Sequence, residues 1–174
     1  IRVNALRSQL GERLDAMLLS TEPEVRWFTG FLSQFWTSPT RPWFVVVPAD
    51  GKPIAVVPTI GEAGMRATWI DDVRTWPAPR PDDDGISLLA DCLAGRSRRH
   101  ARIGMPMGHE SHAGMPVASL DHLRARLGHA GFVDARPGAT AADLYAAMWQ
   151  VLEAAGALAV VFQEIAVDVD GVEH

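Results

Sequence analysis

Two places in the sequence hold side chains that could bind a metal. His109, Glu110 and His112 are zinc-binding residue types, but the helical His-Glu-x-x-His motif needs its second histidine at position 113. That residue is Ala113, so the spacing argues against a zinc site. The adjacent aspartates at residues 82–84 have side chains that diverge, which favours a solvated loop over a metal site.

The segment 33–42 combines two aromatic side chains and a cation with turn-forming residues. Phe35, Trp36 and Arg41 are of the kinds enriched at contact surfaces, so the segment suits such a surface. Packing of Phe35 and Trp36 beneath the edge of a sheet explains it equally well. The basic loop at residues 96–100 could bind an anion or simply be solvated.

Composition limits the classes of protein to consider. The chain has 174 residues, of which 48% are hydrophobic, so we expect one core and no second complete domain. A net charge of -5 argues against nucleic-acid and membrane partners. The lone cysteine, Cys92, lies in an apolar stretch and predicts a buried, unreactive thiol in a reducing compartment. Without a membrane-spanning run or a signal-peptide layout, we expect a soluble cytoplasmic protein. The arginine-rich, lysine-poor composition is typical of bacteria with GC-rich genomes.

The first half of the chain predicts a helix, a strand and a hairpin. Val3, Leu6, Leu10 and Leu14 recur at helical spacing, and residues 16–19 read as a buried strand. Strands at 43–47 and 54–57 flank Asp50 and Gly51, which suit a hairpin turn. Both runs are apolar throughout, so we expect the sheet to be covered on both faces.

The elements that follow alternate between helix and strand. Helices are predicted at 61–68, at 86–93 with Asp84 as the cap, and around 120–127 with Gly128 as the stop. Strands are predicted at 73–76, 102–104 and 132–134, and the proline-rich segment 77–84 as an extended loop. This order predicts an α/β domain with a mixed central sheet flanked by helices.

The order of these motifs resembles the N-terminal domain of creatinases and Xaa-Pro aminopeptidases. In that family a strand is followed by a short helix of the form x-Val-Arg-Tyr-Leu-Thr-Gly-Phe and then by a hairpin. Here the matching helix is Glu24-Val25-Arg26-Trp27-Phe28-Thr29-Gly30-Phe31. Pro23 can start this helix and Gly30 permits a sharp exit. The resemblance covers residues 1–135 and implies a ribonuclease H-like domain.

Residues 136–174 resemble incomplete segments of the family's pita-bread catalytic domain. They comprise a helix at about 140–155, which Thr140 would cap, and terminal strands at about 158–172. By this resemblance Glu164 matches a metal-bridging glutamate, whereas a solvent-facing glutamate on a strand explains the residue as well.

The complete family site would bind two divalent metal ions (Mn, Co or Zn). Bridging carboxylates and terminal ligands must hold such a pair, and Glu164 alone cannot. The family's other ligands, two aspartates, a histidine and a further glutamate, would lie between Gly156 and Val160 and are missing there. We therefore expect this sequence to be inactive as it stands, either as joined pieces of a longer protein or as a deleted variant.

The resemblance implies a dimeric metallohydrolase of the Xaa-Pro aminopeptidase or dipeptidase type, which hydrolyses a C–N bond in a small peptide or a creatine-like small molecule. In such a homodimer the N-terminal domain reaches over the partner's active site. Trp36 and Arg41 would line that pocket, with Arg41 pairing with a substrate carboxylate. The alternative is a non-catalytic domain without a metal site that dimerises or binds a small molecule.

Overall fold

The protein contains a six-stranded mixed sheet flanked by helices, as predicted. The structure is a computed structural model that describes residues 14–37, 41–95, 101–108, 111–128 and 130–135. The strands are β1 Ala16–Leu19, β2 Phe44–Pro48, β3 Ile54–Pro58, β4 Asp72–Trp76, β5 Arg102–Met105 and β6 Gly131–Asp134. The α-helices within these ranges are α1 Glu22–Thr29, α2 Glu62–Arg66, α3 Ile86–Ala94 and α4 Val117–Leu127. Short 3-10 helices span Gln34–Thr37 and Thr59–Gly61.

Five of the six strands run in the same direction. The strand order is β4-β3-β2-β1-β5-β6, and β2 is antiparallel to both of its neighbours while the other pairs are parallel. The five co-directional strands therefore end at one edge of the sheet, called here the carboxyl edge, and β2 begins there. Ligands of open α/β sheets bind outside such an edge.

Both faces of the sheet are covered, which confirms the expectation from the apolar strands. The α1 face carries α1, α2 and the strand residues Met17, Leu19, Val45, Val47, Ala55, Val57 and Val73. The α3 face carries α3, α4 and the strand residues Ala16, Leu18, Phe44, Val46, Ile54, Val56, Ile103 and Met105. Strands buried on both sides have no polar positions to alternate, and this explains their continuous apolar runs.

Glycines with positive φ form the β2–β3 turn and the exit from α1, the two connections that the sequence predicted best. Gly51 adopts φ 98° in the β2–β3 turn, and Gly30 adopts φ 80° after α1, where its N–H bonds to the carbonyl of Arg26 at 2.8 Å. At the start of α1 the Glu24 carboxylate accepts hydrogen bonds from the backbone N–H groups of Ser20 (2.9 Å) and Thr21 (3.0 Å). The predicted start and exit of this helix are confirmed.

The start of α3 differs from the prediction. Gly85, not Asp84, is the cap residue, and the Asp83 carboxylate accepts the Ser87 backbone N–H at 2.9 Å. Asp84 and Gly85 both have positive φ, 45° and 80°, so the chain turns sharply before the helix. This turn places the carboxylate of Asp83, rather than that of Asp84, next to the backbone N–H of Ser87. The choice of Asp84 as the cap was wrong.

Several predictions fall outside the described residues. These are the first helix up to residue 13, the basic loop at 96–100, the pair His109 and Glu110, and everything from 136 to 174, including Glu164. Within the described ranges, none of the helices combines the length and apolar character that crossing a bilayer requires.

Candidate functional site

The predicted contact segment forms a compact group, called here the aromatic lip, made of Phe35, Trp36 and Arg41. Phe35 and Trp36 lie on the 3-10 helix Gln34–Thr37, and Arg41 comes shortly before β2. The two rings pack against the apolar cluster of the α1 face. All three side chains are half-buried. Because β2 begins at the carboxyl edge, the lip lies where the five co-directional strands end.

A stack of aromatic rings supports the lip from below. Trp43, immediately before β2, is 1% exposed. Its ring centroid lies 5.6 Å from that of Trp36 and 5.2 Å from that of Phe31, at interplanar angles of 35° and 34°. These separations fall in the range that aromatic pairs favour. Trp36 is thus attached to the buried core through Trp43.

Two glycines leave room for this stack. A Cβ atom at Gly61 would lie 2.0 Å from two ring carbons of Trp43, and one at Gly64 would lie 2.5 Å from a ring carbon of Phe31. Non-bonded Cβ contacts shorter than 3.0 Å are essentially never seen in proteins, so a larger residue at either glycine would displace the rings. Gly61 at the end of the second 3-10 helix and Gly64 within α2 therefore let the rings of Trp43 and Phe31 pack against the backbone.

The lip offers hydrogen-bond donors. The guanidinium carbon of Arg41 lies 5.7 Å from the centroid of the Phe35 ring. Arg41 Nε and Trp36 Nε1 are buried and have no acceptor among the described residues. A buried N–H group without a partner is costly, so these atoms favour an acceptor supplied from elsewhere. Carboxylate and carbonyl oxygens are the matching groups.

Sequence reasoning left two explanations of this segment open, and both match features of its geometry. Trp36 packs beside the sheet through Trp43, as the packing explanation expects. Part of each lip side chain also stays accessible, as a contact surface requires. The structure brings Trp36 and Arg41 to the same group of rings. A role in substrate binding stays a prediction.

Metal ligands are not found together in the described part of the chain. Within it, no three His, Cys, Asp or Glu residues are placed to hold an ion. The described residues therefore do not fit the dinuclear site that the resemblance implies, and Glu164 lies outside them. We derive no catalytic step through a metal.

The aspartates at residues 82–84 differ in exposure, hydrogen bonding and backbone conformation. Asp82 is exposed, Asp83 bonds Ser87, and Asp84 occupies a left-handed turn. Partial burial raises the pKa of Asp84. Partial burial also acts upward on the pKa of Asp83, but the hydrogen bonds from Ser87 together with the charges of Arg80 and Arg126 outweigh it, and the pKa of Asp83 is lowered. The expected loop location is confirmed, but only Asp82 of the three is exposed.

Cys92 has the environment of an unreactive thiol. It is 1% exposed on α3, and its Sγ lies 3.2 Å from Nη1 of Arg74. Burial raises the pKa of the Cys92 thiol despite the nearby guanidinium. The predicted burial of Cys92 is confirmed, and because the thiolate is the reactive form, the raised pKa fits an unreactive thiol.

Trp43, Gly61 and Gly64 were missed by sequence reasoning as parts of the site. Trp43 was assigned only to the hairpin strand, and the two glycines only to a helix. These residues support the lip through contacts between segments that are distant in the sequence. No local sequence pattern indicates such contacts.

Residues 2–143 match the sequence model of the Creatinase/Prolidase N-terminal domain. The chain belongs to this family. No curated protein matches it. The predicted resemblance is therefore confirmed for the N-terminal domain.

Solved structures share the fold. A proline dipeptidase from Streptococcus pneumoniae aligns with TM-score 0.59 and 18% identity over 76% of this chain and 89% of that one. A Creatine_N superfamily domain of a dipeptidase from Streptococcus thermophilus gives 0.58 and 17%, over 76% and 91%. A prolidase from Thermococcus sibiricus gives 0.61 and 13%, but the aligned region is only 33% of that longer chain. At these identities the likeness establishes the fold alone.

Proposed function

We propose that this chain provides the N-terminal domain of a dimeric metallohydrolase of the Xaa-Pro aminopeptidase or dipeptidase type. When complete, the enzyme hydrolyses a C–N bond in a peptide or small molecule. Family membership supports this proposal, as do the names of the structural relatives, a proline dipeptidase and a prolidase. The domain comprises residues 1–135, and residues 136–174 belong to the catalytic part.

The observation that carries the proposal is the half-buried lip, in which Trp36 Nε1 and Arg41 Nε have no acceptor among the described residues. In the dimer, Trp36 and Arg41 face the catalytic cleft of the second subunit. The Trp36 ring supplies an apolar surface, and Arg41 binds a substrate carboxylate. A planar guanidinium can form two parallel hydrogen bonds with a carboxylate, and this makes the pair directional as well as strong.

Two divalent ions, Mn, Co or Zn, are expected in the complete enzyme. Their role would be to activate a water molecule and polarise the scissile carbonyl. Among the candidates in the sequence only Glu164 is proposed as a ligand, and the described residues contain no group of three His, Cys, Asp or Glu that could hold an ion. The described domain accordingly binds and orients substrate in this proposal.

Two measurements on the natural protein test the proposal. Its intact mass should exceed the 18.9 kDa of this sequence if the other metal ligands exist. The purified protein should then contain divalent metal and hydrolyse an Xaa-Pro dipeptide. A metal-loaded, full-length protein that is inert on such dipeptides would contradict peptidase action. A mass near 18.9 kDa would favour a non-catalytic domain instead.

Replacement of Arg41 tests the role of the lip. In the active dimer, Arg41→Ala should raise KM for the dipeptide by about tenfold or more, since a charge-assisted hydrogen bond is lost. The unfolding free energy should change little because Arg41 is half-buried at the surface. Arg26→Ala, which removes an exposed arginine from α1, is the matched control and should leave KM unchanged. An unchanged KM in Arg41→Ala would remove this residue from the pocket.

A further inference from the structure

We propose that Trp43 is a positioning residue for the lip: its buried ring fixes the orientation of Trp36, and Gly61 fixes the ring of Trp43. This inference rests on the proposed function, because it concerns how well the lip binds the substrate of the partner subunit. Trp43 itself is 1% exposed and has no surface to offer a ligand.

The contacts of Trp43 make it the link between core and lip. One ring contact is with Phe31, which is 8% exposed, and another is with the half-buried Trp36. The six-membered part of its indole meets the backbone at Gly61 so closely that a Cβ there would lie 2.0 Å away. Trp43 therefore has little freedom to move unless Gly61 or Trp36 moves with it.

Packing alone holds this ring. Its Nε1 is buried without an acceptor among the described residues, so no hydrogen bond there sets the position of the indole. A change from tryptophan to phenylalanine thus alters ring size and stacking but removes no hydrogen bond of the described structure. Trp43→Phe is for this reason a clean probe of position.

A shift of Trp36 would also reach Arg41. Trp36 is adjacent to Phe35 on the same 3-10 helix, and the Arg41 guanidinium lies over the Phe35 ring. The N–H of Phe35 donates to the side-chain Oγ of Ser33 at 3.2 Å, which ties the start of this short helix to the residue that precedes it. Trp36, Phe35 and Arg41 are thus linked by contacts, so we expect a shift of Trp36 to displace the other two, with Trp43 as the buried support.

Steady-state kinetics of the complete, metal-loaded dimer with alanyl-proline as the probe tests this inference. Trp43→Phe should raise KM by about three- to tenfold with kcat nearly unchanged, the scale of one aromatic pair. Gly61→Ala should act in the same direction because the added methyl displaces the Trp43 ring. Leu89→Ala, a buried change on the α3 face, controls for lost stability and should not change KM.

The double variant separates positioning from general damage. In Trp43→Phe the smaller ring leaves space beside Gly61, so the methyl of Gly61→Ala should fit there. The KM of the double variant should then be lower than the product of the two single effects predicts. Near-UV circular dichroism of Gly61→Ala, which keeps every tryptophan, should report an altered aromatic environment while the unfolding transition stays cooperative.

The outcomes distinguish this inference from the proposed function. If Trp36→Ala leaves KM unchanged, Trp36 does not bind substrate, and the positioning role of Trp43 is overturned with it. The proposed function is tested separately, because it is wrong if the metal-loaded wild-type dimer does not hydrolyse the dipeptide. If Trp36→Ala raises KM while Trp43→Phe and Gly61→Ala match the Leu89→Ala control, only the positioning role of Trp43 is overturned.

Discussion

At position 61 the packing of Trp43 requires a residue without a side chain. The backbone of Gly61 has φ -95°, which alanine adopts readily, so the Trp43 ring is the obstacle to substitution. Gly61→Ala should lower the unfolding free energy by about 1–3 kcal/mol, the usual effect of overpacking a core. Urea denaturation measures this.

Gly131 is the matched control for that substitution. A Cβ there meets no atom within 4 Å, so Gly131→Ala should change stability by about 0.5 kcal/mol or less. Equal effects of the two substitutions would mean that the Trp43 ring adapts freely, contrary to the close packing seen here.

Asp83 gives the start of α3 a dependence on pH. Its pKa in the folded protein lies below the ordinary value of 3.8, so its contribution is present above 3.8 and is lost as pH falls through the lowered pKa. Asp83→Asn keeps an acceptor for Ser87 but does not titrate. The stability difference between wild type and Asp83→Asn should therefore change between neutral pH and well below 3.8. A difference that is constant over that range would contradict the assignment.

At the scale of elements, Glu24 joins the end of β1 to the start of α1. Its carboxylate accepts two backbone N–H groups, so Glu24→Ala should cost about 1–2 kcal/mol. Glu22 lies in the same first turn, and its carboxylate has no hydrogen bond among the described residues. Glu22→Ala should cost only a few tenths of a kcal/mol through the helix dipole. Thermal or urea unfolding compares the two, and equal losses would argue against the bridging role of Glu24.

The elements that sequence reasoning predicted well are those with local causes. The β2–β3 hairpin follows from Gly51, and α1 follows from Pro23 and Gly30, so their bounds agree with the prediction to within a residue or two. The prediction of the α3 cap was wrong because two consecutive positive φ angles, which composition does not encode, make Gly85 the cap residue and Asp83 the side-chain acceptor for Ser87.

At the scale of the whole molecule, the arrangement of the strands depends on contacts distant in sequence. The pairing of β1 with β5 joins Met17 to Gly104, and neither strand carries a pattern that specifies the other. The same limit applies to the site. Trp36 and Arg41 stood out by residue type and by resemblance, whereas the support from Trp43 and Gly61 required the folded chain.

The described residues form two apolar clusters on one sheet, and this predicts a domain that folds without the end of the chain. A chain that ends at residue 143, the limit of the family match, should unfold cooperatively with nearly the urea m-value of all 174 residues.

A shorter chain provides the contrast. Ending at residue 127 removes β6, which pairs with β5 along its whole length and packs Phe132 against the α3 face. Loss of this edge strand uncovers Ile103 and Met105, so the shorter chain should lose stability or cooperativity. If the chain ending at 143 failed in the same way, residues 144–174 would be part of this core, and the proposed boundary at residue 135 would be wrong.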